Sequence, residues 1–203
     1  MTEWHFYEPA AGHRLAHDPL NAIVAPRPIG WISTVSPGGQ RNLAPYSFFN
    51  LISYTPPLIA FSSSGWKDTI ANIEATGEFV WNLATRPLAE AMNATSATTG
   101  EDEFALAGLE PAPSRLVVPP RVAASPVAFE CRLTQLIRLQ TKEGEPIDQW
   151  LAIGEAVGIH IDTALLEDGV YQTARARPIS RGGGPADYFE ATEDTRFLMR
   201  RPR

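Results

Sequence analysis

The sequence predicts a mainly β fold, an antiparallel barrel with short covering helices, and three observations carry that prediction. Apolar runs of strand length dominate the 203-residue chain and are bounded by turn residues. Its 18 prolines exceed the usual share of about 5% and fall between those runs, at Pro26 and Pro28, Pro56 and Pro57, Pro111 and Pro113, and Pro119 and Pro120. Helical periodicity is confined to two short stretches. So many strands create an edge problem that closure into a barrel solves.

Taken in order, the first strand is expected over Ile29 to Val35, ended by a Pro37-Gly38-Gly39 turn. "NLAPYSFFN" follows, with Pro45 interrupting a strand pattern. "PLIAFSSS" is a short, almost wholly apolar strand. "KDTIANIEATG" then places Ile70 and Ile73 one turn apart and stops at Gly77, as a helix does. "EFVWNLAT" alternates Phe79, Trp81 and Leu83 as a strand. "RPLAEAMNATSA" reads as a second helix, with Pro87 in its first turn. In "SPVAFECRLTQLIRLQ" six of the seven odd positions from Val127 to Leu139 are apolar, Gln135 being the exception, which marks a long half-buried strand. A polar turn joins it to Trp150–Asp162 as an antiparallel hairpin.

Composition excludes several functions. A formal charge of -6 argues against an overall grip on nucleic acid, and the arginines of "RFLMRRPR" (Arg196, Arg200, Arg201, Arg203) read as a solvated tail. Cys131 is the only cysteine, so neither an intramolecular disulfide nor a cysteine-based metal cluster is available within one chain, and a reducing, cytoplasmic home is expected. No secretory leader and no apolar run of about 20 residues are visible, so no membrane association is expected.

Three stretches are candidates for chemistry. "SSSGWKDT" (62–69) ends a strand and opens a helix, so Ser62, Ser63, Ser64, Lys67 and Thr69 are placed to receive an anion at a helix N-terminus; alternatively Ser64 or Asp68 merely caps the helix. In "NLAPYSFFN", Pro45 frees backbone groups that a flat heteroaromatic ligand with donors and acceptors could engage; the competing reading is a bulge under a hydrophobic corner with Phe48 and Phe49 in the core. His160 shares the even-numbered face of its strand with Ala152, Gly154, Ala156 and Gly158. Such a small-residue row suits the close approach of a flat ligand or a second backbone; otherwise His160 is a surface histidine. The glycine run in "SRGGGPADY" reads as a flexible loop. No Walker, Rossmann or serine-hydrolase motif is present.

Together, "PRPIGWIST", "NLAPYSFFN", "PPLIAFSSS", "KDTIANIEATGEFVWNL", "AEAMNATSA", "SPVAFECRL" and "IGEAVGIHID" resemble, in order, the flavin reductase-like, FMN-binding split-barrel family, from about Pro26 to Gly184. The resemblance implies a six-stranded antiparallel Greek-key barrel, a single domain over 1–203 with its core at about 20–184 and a C-terminal tail over 185–203. It implies a homodimer with FMN, rather than FAD, near the interface, NADH or NADPH as electron donor, and an acceptor or partner monooxygenase. Carried onto this chain, Trp31, Ile32, Ser33, Thr34, Ala44, Pro45, Tyr46, Ser47 and Phe48 would border the ring and ribityl chain. Ser62, Ser63, Ser64, Lys67, Asp68 and Thr69 would hold ribityl and phosphate. His160 would stand on the nicotinamide side as the catalytic residue, and Arg181 would reach the cofactor from the C-terminal segment. Two other functions are compatible with the same residues, a flavoredoxin-like electron carrier that does not use nicotinamide and a non-catalytic binding barrel.

Overall fold

The computed structural model describes residues 2–97 and 102–202; Met1, residues 98–101 and Arg203 lie outside it. Seven antiparallel strands form one sheet: β1 (Gly30–Val35), β2 (Arg41–Tyr46), β3 (Phe49–Tyr54), β4 (Pro57–Ser64), β5 (Glu78–Asn82), β6 (Val127–Gln140) and β7 (Pro146–Ile161). Their order is β2-β1-β5-β6-β7-β4-β3. The edge strands β2 and β3 are neighbours in sequence, so the chain crosses from one sheet edge to the other through Ser47 and Phe48. The barrel is split at that seam. Seven strands rather than six arise because the chain turns back as β3 along the outer side of β4, Phe49 facing Phe61 and Leu51 facing Ile59.

Inside the barrel Ile32, Tyr46, Ile59, Phe61, Phe79 and Cys131 pack together, closed at one side by Ile70 and Ile73 of the helix α2 (Asp68–Thr76). A Phe61 or Phe79 ring removed from water this way contributes about 2–3 kcal/mol. β1 is buried along its whole length because a second cluster covers its outer face: Trp31 and Leu43 pack there against Met92, Phe104 and Val122. Both faces being covered explains its near-continuous apolar character. Preceding the barrel is α1 (Leu20–Ile23), and two further short helices, α3 (Ala89–Ala94) and α4 (Glu103–Leu106), supply part of that outer cover.

β-Bulges change the strand readings. The register of β6 against β7 shifts between Ile153 and Gly154, opposite Gln135 and Leu133, so Leu133 and Leu136 both reach the core and the odd-position rule ends at Thr134. Gln135, the exception in the alternation, stands at this shift. A second shift between Ala156 and Gly158 inverts the far end of β7. Ala152 and Ala156 point into the barrel, whereas His160 lies opposite Ala128 on the outer face. The small-residue row therefore does not form one face. It is occupied from within: a Cβ on Gly154 would lie 2.4 Å from Cε1 and Cζ of Phe79.

The C-terminal part also differs from expectation. Tyr188–Glu190 pairs with Ile179–Arg181, which pairs with Arg27–Pro28 in a separate three-stranded sheet, so ordered pairing continues to Glu190 rather than ending at 184. The glycine run is a packing contact, not a free loop, because a Cβ on Gly183 would fall 2.4 Å from that of Ala22 in α1.

Candidate functional site

The junction of β2 and α2 is fastened by a buried polar network. Asn42 Nδ2 donates to Thr69 Oγ1 at 2.8 Å and to Thr34 Oγ1 at 3.4 Å, and Asn72 Nδ2 donates to Thr34 Oγ1 at 3.0 Å. These bonds tie the first turn of α2 to β1 and β2. Ile70 and Ile73 are buried alongside Thr69 and Asn72 on the same helix, so its N-terminus is held fixed above the sheet edge. Lys67 is the N-cap residue, and no side chain caps the helix. The capping reading of Ser64 and Asp68 is thereby excluded. Asp68 is the first helical residue, and the orphan N–H groups of the first turn are not claimed by a side-chain cap.

Tyr46 forms the floor. Its ring lies 4.7 Å from that of Phe61, and the hydroxyls of Thr69 and Ser63 stand near its own, where they favour the phenolate. Burial pushes its pKa above the ordinary phenol value despite those neighbours, so it stays protonated near neutral pH. Glu103 at the start of α4 accepts from the Leu43 N–H at 3.1 Å, occupying the otherwise open edge of β2. Burial, reinforced by Asp102 and Asp68, raises the Glu103 pKa against the opposing effect of that N–H. Asp102 pairs with Arg41.

These elements enclose a cleft of about 480 Å³ lined by Ala44, Pro45, Tyr46, Lys67, Asp68 and Thr69 together with Thr95–Ala97 and Glu103. A second cavity of about 660 Å³ shares Asn42, Asp68 and Glu103 with it. Pro45 fits here because β2 is an edge strand, where a missing N–H breaks no ladder.

Six predicted residues therefore converge on one cleft, with Thr34 in the network behind it. The others do not. Trp31, Ile32 and Ser33 are wholly enclosed: Trp31 lies in the outer cluster, its Nε1 donating to Thr95 Oγ1 at 3.0 Å, Ile32 lies in the barrel core, and Ser33 holds the Pro120 carbonyl. Their side chains can reach a ligand in the cleft only through neighbours. Ser47 and Phe48 form the crossing between sheet edges, with Phe48 half exposed beneath the Arg27 guanidinium at 5.7 Å. The serine run divides. Ser63 is buried and bonds the Gly65 carbonyl at 3.0 Å, whereas Ser62 and Ser64 are clasped by Gln149 of β7 at 2.6 and 2.8 Å.

His160 lies outside this cleft. Its Nε2 is 2.5 Å from Oε1 of the buried Glu130, on the outer barrel face. Arg181 is engaged by the C-terminal segment, donating to the carbonyls of Asp187, Gly184 and Pro185 at 2.8 to 3.0 Å. Asn72 and Glu103 were not predicted. Asn72 carried a signal, one turn after Thr69 on the buried side of the helix; Glu103 arrives from 60 residues beyond Leu43 and carried none.

Residues 24–180 match the family described as flavin reductase like domain. The chain belongs to the flavin reductase-like family. A relative from Deinococcus radiodurans is 39% identical over 217 residues, covering 98% of this chain and 91% of its own. Among solved flavin reductase-like structures, nitrilotriacetate monooxygenase component B from Bacillus cereus superposes with a TM-score of 0.81 at 34% identity, covering 89% of this chain and 91% of the other. The 2-nitrobenzoate 2-nitroreductase NbaA of Pseudomonas fluorescens gives 0.79 at 28%, with 89% and 88% covered. The fold is the split barrel of this family, and a flavin-related oxidoreductase function goes with it. Among the described residues no helix is long and apolar enough to cross a membrane.

Proposed function

We propose that this chain is an NAD(P)H-dependent FMN reductase that takes FMN in the cleft between β2 and α2. The observation that carries this reading is the convergence of Tyr46, Lys67 and Thr69 with a helix N-terminus lacking a side-chain cap, in a flavin reductase-like chain. Lys67 and the first-turn N–H groups suit a phosphate dianion. The Thr69 hydroxyl is already oriented by Asn42 and adds a donor or acceptor. Asp68 would repel a phosphate placed directly on it, and its carboxylate suits ribityl hydroxyls instead. Glu103, further along the cleft, has one carboxylate oxygen engaged by the Leu43 N–H. Bound FMN would accept a hydride equivalent from nicotinamide and return electrons to an acceptor. The chain's own task is to hold the ring and exclude competing partners, so no acid-base pair is demanded of it.

The half-exposed Leu51 and Ile52 and the exposed Tyr54 on edge strand β3 support a homodimer that covers them. The likeness to nitrilotriacetate monooxygenase component B supports a partner monooxygenase as consumer of reduced flavin. The single buried thiol fits a cytoplasmic home.

The test is anaerobic mixing of the FMN-loaded protein with NADH and, separately, NADPH. Rapid bleaching of the flavin band with either is expected. A flavin that binds but does not bleach would replace the reductase reading with that of an electron carrier, and failure to bind FMN would remove both.

A further inference from the structure

The outer face of the barrel carries a second built cavity. Glu130 of β6 is wholly enclosed and its carboxylate takes three donors: Arg115 N at 2.8 Å, Leu116 N at 2.6 Å and His160 Nε2 at 2.5 Å. Burial by itself would raise its pKa, but the His160 bond and the two backbone N–H groups outweigh that and hold it below the ordinary carboxylate range. An ionised buried carboxylate is costly unless its lone pairs are all used. Here they position two members of a single wall. Arg115 and His160 both line a cavity of about 450 Å³, with Arg121 and Ser125 beside them.

The segment bearing Arg115 is further fixed by Ser114 Oγ donating to the Pro119 carbonyl at 2.6 Å and Val118 N donating to Glu78 at 2.8 Å. Among the described residues no acceptor pairs with the Arg115 guanidinium, and Arg121 Nε reaches only the Pro113 carbonyl, at 3.4 Å. Asp162 is the one carboxylate among the lining residues, and its Oδ1 is taken by the Ala164 N–H at 2.9 Å. With Nε2 bound to Glu130, Nδ1 is the imidazole nitrogen left for the cavity.

We propose that this cavity binds a phosphate group, either free phosphate or the phosphate monoester of a nucleotide, at Arg115, Arg121 and His160. Guanidinium groups match phosphate oxygens in charge and geometry. A phosphate monoester has its second pKa near 6, so close to neutral pH it meets Nδ1 as a hydrogen-bond donor or as an acceptor, according to where the proton sits. Sulfate carries no proton near neutral pH and can only accept. The site does not depend on the flavin reading, because it shares no lining residue with the cleft at Lys67.

The test follows the imidazole nitrogens of His160, one of four histidines, by ¹⁵N NMR, with His160→Gln providing the assignment. Inorganic phosphate, adenosine 2′-monophosphate and sulfate are titrated at constant ionic strength. A saturable shift of the His160 signal is expected with phosphate, weakened about tenfold or more in Arg115→Gln and in Arg121→Gln and unchanged in Lys67→Ala. Both arginine changes are outside the core, and circular dichroism checks that the variants fold. Tighter binding of adenosine 2′-monophosphate than of phosphate would identify a nucleotide as the source. No saturation with either phosphate compound, an equal response to sulfate, or full affinity in both arginine variants would overturn the proposal.

Discussion

Gly154→Ala tests how β7 uses its small residues. The added Cβ would stand 2.4 Å from Cε1 and Cζ of Phe79 and 3.2 Å from the Arg132 carbonyl oxygen, where ordinary contact begins at 3.4 Å. Phe79 must retreat by about 1 Å. It is wholly buried, with the Phe61 ring edge-on at 5.8 Å, so the retreat compresses the centre of the barrel. Overpacking of this kind costs about 2–3 kcal/mol. For a chain of this length that lowers the Tm by roughly 4–12 °C. Urea unfolding of Gly154→Ala, Phe79→Leu and the double variant measures the coupling: the smaller leucine side chain leaves room for the new methyl, so the double variant should regain about 1–2 kcal/mol relative to additivity. If the two losses add, or if Gly154→Ala keeps full stability and instead weakens flavin binding, Phe79 is not what the missing side chain accommodates.

Three further outcomes are expected. Lys67→Ala should weaken FMN by about 10- to 100-fold while changing riboflavin, which lacks the phosphate, far less; equal losses in a fluorescence titration would remove Lys67 from the phosphate site. Glu103 binds its proton more tightly folded than unfolded, so its contribution to stability is present at acid pH and is lost as pH rises from the ordinary carboxylate range through the raised value. Glu103→Gln, which retains an acceptor for Leu43 N–H, should remove that part of the slope in urea midpoints measured between about pH 4 and 7. Arg181→Ala should speed proteolysis near residues 184–190 by releasing three carbonyls, with FMN affinity within about twofold of the parent chain; a large loss of FMN affinity would return Arg181 to the cofactor site.

Much of the architecture was legible because it depends on local chemistry. The apolar run Pro57–Ser64 followed by Asp68–Thr76 and a stop at Gly77 could be read from strand composition and helix punctuation, as could the hairpin of β6 and β7. The turn holding Lys67 was legible for the same reason, since strand end and helix start are adjacent in sequence. Features set by distant partners were not. The side of the sheet on which His160 lies depends on a one-residue bulge, and no alternation rule locates a bulge. Ser62 and Ser64 looked equivalent to Ser63, but pleating sends them toward Gln149, 85 to 87 residues away. Arg181 has the right charge for a phosphate, yet carbonyls only a few residues ahead of it claim the guanidinium first.

The inversion in β7 gives one strand two independent duties. Up to Ala156 its inward residues set how tightly the barrel closes around Phe79; beyond Val157, which packs with Val80, Val117 and Ala128 under the outer segment, its residues furnish a different compartment. Substitutions on the first half should register as changes in unfolding free energy, and those at His160 as changes at the outer cavity, with little cross-talk. A barrel wall can thus be retuned on one side of a single residue without disturbing what the other side presents.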